Sequence, residues 1–400
     1  MVSPSSEART ALVHHWLVTM RGGERVFEAL AELFPSADLF TLVHDRSRIS
    51  GPLQARNIRS SVLQRFPGAK KWYRYYLPFF PFATGRMDLR DYNLVISSDA
   101  ATVKGVRCGD AVHICYCHTP MRYVWQGYES YRHASGPIVR QALKACRKGL
   151  CDWDYEAAQR VTHFVANSRN VQRQIRECYG RESSVVYPPV DTERFSIDPQ
   201  AHVEDESFLV VSQLVPYKRI DLLVEAFNKC GRRLTIIGDG PERGRLEGRA
   251  KSNVRFLGSQ SDAAVVKAMQ QCRAFVFAGE EDFGIVMAEA QSCGKPVIAL
   301  GRGGAAEIVE PGVSGVLFEE QSSDSLIDAI DRFDRTCFEA AVIRESALRF
   351  SRDRFFREFA KLVAEKTSTV QSRRRLFAGA STEPLRDDFE GQTPPAAARR

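Results

Sequence analysis

"AFVFAGEEDFGIVMAEAQSCGKPVIAL", residues 274–300, reads as a strand, a turn, a helix and a second strand. Both apolar runs have strand length, and the segment that begins near Gly284 has helix length. This succession is typical of a parallel βαβ unit. The turn places Glu280, Glu281 and Asp282 after the first strand, and the helix carries a further acid, Glu289.

The same alternation of strand-like and helix-like segments continues through both halves of the chain. The first half offers TALVHHWL, ADLFTLV, YNLVISS, AVHICYC and THFVANS, and the second half offers FLVVSQL, RRLTIIGDG and NVRFLG besides the stretch above. We therefore predict an α/β protein with two doubly wound sheets facing a cleft. The predicted boundaries are a first domain at 1–195, a second domain at 196–350 beginning with a polar linker, a C-terminal helix at 351–370 returning to the first domain, and a disordered tail at 371–400.

Composition is that of an ordinary globular protein, with 44% hydrophobic residues and a net charge of +7 in 400 residues. No charged-then-apolar leader and no spanning apolar run is found, so we expect a cytoplasmic protein. The ten cysteines show no metal-binding spacing. Asp152 and Asp154 form D-x-D, but on a helix two such residues point about 200° apart, so we expect a structural role and no metal.

The stretch from Arg56 to Arg90 is basic and aromatic. It holds eight Lys or Arg against one acid, and its centre reads KKWYRYYLPFFPF at residues 70–82. Rings interleaved with cations suit a lipid headgroup layer or a single-stranded nucleic acid, and a core segment with a solvated edge is the third interpretation.

The turn after residue 279 suits a diphosphate. Ligands of such sheets bind beyond the carboxyl ends of the strands, and free amides at a helix start favour phosphate. Glu281 and Glu289 would lie about 12 Å apart on a helix, the reach of a nucleotide sugar's diphosphate. Other strand ends supply cations and glycines, namely Lys218, Arg219, Gly22, Gly23, Gly238 and Gly240.

These residues carry a resemblance. Glu281 and Glu289 form E-x7-E, and with VPYKR, GDGP, GGER and VYPPVD the chain resembles retaining glycosyltransferases of family 4, which have the GT-B fold. Two further segments, YCHTPMRYVWQGYESY and VANSRNVQRQIRECYG, resemble bacterial mannosyltransferases of O-antigen and exopolysaccharide synthesis. The resemblance implies GDP-mannose as the donor and covers the chain to about residue 365.

The resemblance also implies roles for individual residues. Glu281 would accept sugar hydroxyls, Glu289 would bind ribose, Lys218 would bind the diphosphate, and His118 would face the transferred sugar. The backbone of Phe283, Gly284, Ile285 and Val286 would face the donor, and Gly22 and Gly23 would close over it. The family's arginine five residues before the lysine is Gln213 here, so Arg219 is a candidate substitute.

The expected function is transfer of a sugar, mannose from GDP-mannose as the first choice, to a polyprenyl-diphosphate-linked oligosaccharide at the inner face of the plasma membrane. No cofactor, metal or nucleic acid is expected. The alternatives are a UDP-sugar donor, a nicotinamide oxidoreductase, for which neither half has G-x-G-x-x-G with a following acid, and a non-catalytic module that binds membrane or RNA.

Overall fold

The computed structural model describes residues 9–129, 132, 136–201 and 206–380. The N-terminal sheet is parallel, with strand order β3-β2-β1-β4-β5-β6-β7. Its strands are β1 (Thr10–Leu17), β2 (Asp38–His44), β3 (Ile58–Ser60), β4 (Leu94–Asp99), β5 (Val112–Cys117), β6 (His163–Ala166) and β7 (Ser183–Val185). β1 and β4 to β6 are almost wholly buried, as expected for a sheet covered on both faces.

The C-terminal sheet is also parallel, with order β10-β9-β8-β11-β12-β13. Its strands are β8 (Phe208–Val211), β9 (Leu234–Ile237), β10 (Val254–Gly258), β11 (Phe275–Phe277), β12 (Val297–Leu300) and β13 (Gly315–Phe318). Each sheet has its own apolar core, which confirms the predicted α/β fold with two doubly wound sheets.

Helices cover both sheets. They are α1 (Gly22–Leu33), α2 (Gly51–Gln54), α3 (Ala69–Trp72), α4 (Phe80–Gly85), α5 (Pro137–Gln159), α6 (Arg169–Tyr179), α7 (Ile220–Cys230), α8 (Arg243–Glu247), α9 (Asp262–Gln271), α10 (Ile285–Ser292), α11 (Ala305–Ile308), α12 (Ser323–Asp334), α13 (Ala340–Leu348) and α14 (Arg352–Ala380). Within the described ranges, no helix combines the length and apolarity needed to cross a bilayer.

The chain passes between the domains twice, at two neighbouring places. Val186 belongs to the N-terminal core and Val190 to the C-terminal core, and the return occurs between Phe350 and Phe355. At this point the Val190 amide donates a hydrogen bond to the Phe350 carbonyl at 2.9 Å. The two crossings therefore lie side by side.

The last helix, α14, packs on the N-terminal domain. Phe355, Phe359, Leu362 and Val363 are buried in that domain's core, and Phe355 contacts the Tyr116 ring at 5.9 Å between centroids. The helix continues to Ala380, so the predicted boundary between helix and tail at residue 370 is ten residues too early. Residues 381–400 of the predicted tail, and 202–205 of the predicted linker, lie outside the described residues.

A buried charge network stabilises the N-terminal domain on the side of β4 and α5. Lys104 Nζ lies 3.0 Å from Asp99 and 2.5 Å from Asp154, and all three side chains are buried. Asp154 also accepts hydrogen bonds from Trp125 and Tyr179. Asp152, by contrast, is exposed, so the two acids of D-x-D point in different directions as the helical spacing predicts.

Within the basic aromatic stretch from Arg56 to Arg90, residues 69–85 fold as short helices with two distinct faces. Tyr73, Leu77 and Phe80 are buried beneath it, whereas an outer face exposes large rings. Those exposed rings are Trp72, Tyr75, Phe79 and Phe82, each about half exposed or more. We call them the aromatic face; Lys71 and Arg86 lie over its Trp72 and Phe82 rings at 5.8 and 4.6 Å.

Candidate active site

A cleft of about 370 Å³ lies between the two sheets and is lined by both domains. Several strand ends reach it, as expected for ligand sites of doubly wound sheets. Nine of the predicted site residues line this cleft: Gly22, Gly23, His118, Lys218, Glu281, Phe283, Gly284, Ile285 and Val286.

The start of α10 forms one wall of the cleft. Gly284 precedes it with φ of 98°, and a Cβ there would lie 2.2 Å from Met287 Cε, so glycine is required. Phe283, in the turn before the helix, packs against Tyr187 with 5.7 Å between the ring centroids and holds the turn in place. The first residues of α10, Ile285, Val286 and Met287, line the cleft, and a helix N-terminus at this place favours an anion.

The predicted glycine loop forms the start of α1, whose first two residues are Gly22 and Gly23, and it lies against this helix start. We keep the name glycine loop for Arg21, Gly22 and Gly23. A Cβ on Gly22 would lie 3.0 Å from Ile285 Cδ1, and one on Gly23 would lie 3.7 Å from His118 Nε2. The contact is tight at Gly22, where glycine leaves room for Ile285, whereas at Gly23 the distance is an ordinary van der Waals contact. The start of α1 in one domain and the start of α10 in the other therefore meet at the same place.

Lys218 and Glu281 form an ion pair in the cleft, and both side chains are largely buried. Lys218 follows β8 and Glu281 follows β11, and these strands are neighbours in the sheet. Arg219 does not line the cleft: it adopts φ of 54° and bonds Asp221 at 3.2 Å and Gln321 at 2.7 Å. The structure therefore brings the predicted lysine to the site and leaves the candidate substitute arginine outside.

Gly238 and Gly240 also lie outside the cleft lining. A Cβ on Gly238 would lie 1.8 Å from the Ser212 carbonyl oxygen, and a Cβ on Gly240 would lie 2.4 Å from the Leu214 carbonyl oxygen. Both glycines therefore allow the loop after β9 to pack on the loop after β8. They thereby support the loop after β8, which carries Lys218.

Glu289 lies further along α10, is partly buried and does not line the cleft. Burial raises the pKa of its carboxyl group to about 7, against the opposing charges of Arg194 and Arg25. Among the described residues, no hydrogen bond or ion pair is found for its side chain. A carboxylate with no partner in a partly buried place is available to accept hydroxyl groups from a ligand.

His118 is held in a buried polar chain. Its Nε2 lies 2.8 Å from Ser98 Oγ, which in turn lies 3.1 Å from His14 Nδ1. Burial lowers the pKa of His118 to about 3, so the imidazole is neutral at physiological pH. His15, the residue after His14, also lines the cleft, and its buried Nδ1 has no hydrogen-bond partner among the described residues.

Sequence reasoning missed the residues that join the two domains across the cleft. Asp282 forms an ion pair with Arg122 and accepts a hydrogen bond from Gln174 at 3.1 Å. Glu307 accepts the amides of Arg169 and Asn170, both at 2.9 Å, at the start of α6. These acids lie in one domain and their partners in the other, so no local sequence pattern could have paired them.

A third bridge, between Arg21 and Gln213, was also missed. Arg21 Nη1 donates to Gln213 Oε1 at 3.0 Å across 192 positions of sequence. Gln213 stands where the resembling family has an arginine, and nothing in the sequence around it indicates its partner. Within the described ranges no group of three or more His, Cys, Asp or Glu could hold a metal ion.

Two parallel α/β domains that face each other across a cleft have the arrangement of the GT-B fold. Residues 20–194 match the family model described as Glycosyltransferase Family 4, and residues 191–335 match the model described as Glycosyl transferases group 1. The chain therefore carries one domain that matches each of these glycosyltransferase models, one on each side of the cleft.

Individual relatives match about half of the chain. An uncharacterized glycosyltransferase of Methanocaldococcus jannaschii is 29% identical over 50% of this chain and 56% of its own length. A GDP-mannose-dependent alpha-(1-6)-phosphatidylinositol monomannoside mannosyltransferase of Mycobacterium tuberculosis is 31% identical over 48% of this chain and 55% of its own length. The chain thus spans little more than half the length of these relatives.

Solved structures match over nearly the whole chain. HepE of Anabaena, in complex with UDP and glucose, is similar with a TM-score of 0.69 and 18% identity, over 90% of this chain and 100% of the other. A lipopolysaccharide outer core galactosyltransferase gives a TM-score of 0.61 and 18% identity, over 90% and 99%. These likenesses confirm the predicted GT-B fold.

Proposed function

We propose that this chain is a retaining glycosyltransferase that moves mannose from GDP-mannose to a lipid-linked oligosaccharide in cell-surface polysaccharide synthesis. The observation that carries the proposal is the convergence of four elements on one cleft. They are Lys218, Glu281, the start of α10 and the glycine loop; they belong to three separate segments of the sequence, since Glu281 directly precedes α10, and all line the same space.

Each element suits one part of a nucleotide sugar. The helix start and Lys218 would bind the diphosphate, because both stabilise negative charge as the leaving group departs. Glu281 would accept hydroxyls of the sugar and Glu289 those of the ribose. His118, as a neutral imidazole beside Gly23, would hydrogen-bond near the reacting carbon.

The pairing of the carboxylates that line the cleft favours a mechanism without a protein nucleophile. Three carboxylates line the cleft: Glu281 pairs with Lys218, Asp282 pairs with Arg122, and Glu24 is buried and bonds Thr19. None of these three acids is unpartnered among the described residues, whereas glycosidases use two acids flanking the sugar bond. We propose that the leaving phosphate takes the proton of the incoming hydroxyl on the same face, which retains the configuration.

GDP-mannose is preferred as donor because the Mycobacterium tuberculosis relative is GDP-mannose-dependent. A UDP-sugar is the second candidate, because HepE structures hold UDP or UDP-glucose. The two candidates share the ribose and the diphosphate, so both use the same cleft elements, and they differ in the base and in the hexose.

The lipid-linked acceptor is supported by the position of Arg74. This residue lines the cleft, while the neighbouring Trp72 and Tyr75 belong to the exposed aromatic face. Tyr73 connects the two surfaces, since it packs on the cleft residue Trp16 at 4.9 Å and lies under Arg74. A membrane bound at the aromatic face would thus present a lipid-tethered acceptor beside the cleft, and we propose the inner face of the plasma membrane as the place of action.

A donor screen tests the proposal. The purified chain is mixed with GDP-mannose, UDP-glucose, UDP-galactose or UDP-N-acetylglucosamine and a polyprenyl-diphosphate-linked oligosaccharide, and nucleoside diphosphate release is measured. We expect acceptor-dependent release of GDP. Release of UDP would support the second donor candidate, and no release with any donor and no binding of GDP or UDP would contradict a glycosyltransferase.

A further inference from the structure

Arg21 lies at the point where the glycine loop meets the other domain. It lines the cleft, directly precedes Gly22, and Gly22 is in contact distance of Ile285 at the start of α10. The side chain donates to Gln213 Oε1 at 3.0 Å on the loop that also carries Lys218. Arg21 is therefore held close to both groups that suit a diphosphate.

The partner of Arg21 leaves its charge available. Lys218 and Arg122 each pair with a carboxylate, whereas Gln213 is a neutral amide that accepts a single hydrogen bond. No carboxylate lies within ion-pair distance of the Arg21 guanidinium among the described residues. A guanidinium has five N–H donors in a planar fork that matches phosphate oxygens, so most of its donors remain for a ligand.

The backbone of the loop is also fixed. Glu24, which is 4% exposed, accepts the Arg21 amide at 3.2 Å and the Thr19 hydroxyl at 3.1 Å. The position of the Arg21 backbone is thereby set by the first turn of α1. Preorganised charge of this kind stabilises a developing negative charge without a reorganisation cost.

We propose that Arg21 is the second cation for the donor's diphosphate, and that it is supplied by the N-terminal domain with Gln213 as its positioning residue. This inference rests on the proposed function and extends it. Arg21 takes the role of second cation for which Arg219 was the candidate, because Arg219 bonds Asp221 and Gln321 outside the cleft. A cation that reaches the diphosphate from the opposite domain is in place when the two domains are closed.

The test compares nucleoside diphosphate with monophosphate. Calorimetric titration of the full chain with GDP, GMP, UDP and UMP gives an affinity ratio for the terminal phosphate. We expect Arg21→Gln to lower this ratio roughly tenfold, as for one lost charged hydrogen bond, and Arg21→Lys to lower it less. Thermal unfolding of each variant establishes that the fold is intact.

Arg25→Gln is the matched control, because Arg25 lies in the first turn of α1, four residues after Arg21, and also bridges to the other domain, at 2.5 Å from Asp262, but does not line the cleft. We expect its affinity ratio to stay at the wild-type value. An equal fall in both variants would show that domain bridging, rather than charge at the phosphate, is responsible, and would overturn the inference. An unchanged ratio in Arg21→Gln would overturn it as well.

The double variant Arg21→Gln with Gln213→Arg moves the guanidinium to the other end of the same hydrogen bond. Recovery of the affinity ratio supports a charge requirement at this place, and no recovery overturns it. Failure of the proposed function gives a different result, because the wild-type chain would then bind neither GDP nor UDP.

Discussion

Lys218 and Glu281 are paired with each other in the cleft, although sequence comparison gives them separate partners, the diphosphate and the sugar. The lysine is therefore already partly neutralised before a donor binds. A diphosphate must compete with the carboxylate for the ammonium group, and the displaced carboxylate then becomes free to accept hydroxyl groups. Binding of the phosphate and recognition of the sugar are in this way coupled through one ion pair.

Lys218→Ala should reduce kcat about a hundredfold, because it removes charge stabilisation that matters most as the leaving group departs. The measurement is steady-state release of nucleoside diphosphate. Lys229→Ala is the control, since Lys229 pairs with Asp324 on the surface of the same domain and should keep wild-type kcat. A kcat within twofold of wild type for Lys218→Ala would remove the lysine from the mechanism.

Glu281→Gln and Glu289→Gln should affect different kinetic constants. Glu281 lines the cleft beside the helix start, so its variant should mainly lower kcat. Glu289 lies outside that lining, so its variant should mainly raise KM for the donor by weakening contact with the ribose. Parallel titration with nucleoside diphosphate separates the two cases, and the same pattern of kcat and KM in both variants would argue against separate roles.

Donor binding should strengthen as pH rises through about 7, because burial raises the pKa of Glu289 to about 7 and the protonated group is a poorer hydroxyl acceptor. Titrations between pH 5.5 and 8.5 test this, and Glu289→Gln should flatten the profile. His118 should contribute no step near pH 6.5, because burial lowers its pKa to about 3. A pH profile that is unchanged in Glu289→Gln would assign the step to another group.

The same raised pKa has a consequence for stability. Between the ordinary carboxyl value of 4.5 and about 7, the folded chain holds a proton that the unfolded chain releases, so this group's contribution to stability falls as pH rises through that window. Glu289→Gln should therefore be more stable than wild type by about 3 kcal/mol at pH 8 and by only about 1 kcal/mol at pH 5. Urea unfolding at both pH values measures the difference. A constant difference at the two pH values would contradict a titrating Glu289.

The sequence predicted the strands well and the cleft in part, for physical reasons that differ. TALVHHWL coincides with β1, Thr10–Leu17, because a buried parallel strand needs a continuous apolar run. Lys218 and Glu281 follow strand ends. Because ligands of doubly wound sheets bind beyond the carboxyl ends of the strands, the sequence placed both residues correctly at the same edge of the sheet. Arg21 and Gln213 could not be paired, because nothing local links two residues of different domains.

Membrane binding should depend on the cations around the aromatic face. Lys71 and Arg86 lie over rings of this face, and Arg65 is exposed in the same basic aromatic stretch. Each cation near an anionic leaflet contributes about 1 kcal/mol. Changing all three to Glu should abolish sedimentation with anionic vesicles, and added salt should weaken binding of the wild type. Arg74 is left intact because it lines the cleft.

The control for this experiment changes the same charge elsewhere. Lys267, Arg335 and Lys361 are exposed at other places on the molecule, and their triple change to Glu should leave binding to anionic vesicles much closer to wild type. Equal binding of wild type to neutral and anionic vesicles, or an equal loss in both triple variants, would leave the aromatic face without an electrostatic membrane role.

The paired crossings at Val190 and Phe350 make the link between the domains redundant. A single proteolytic cut in the polar segment after residue 195 would sever one connection, yet the second fragment would still carry α14, whose Phe355 and Phe359 are buried in the first domain. The nicked protein should therefore co-elute as one particle on gel filtration under native conditions and separate in denaturant. The two domains would behave as interlocked halves, each holding part of the other's chain.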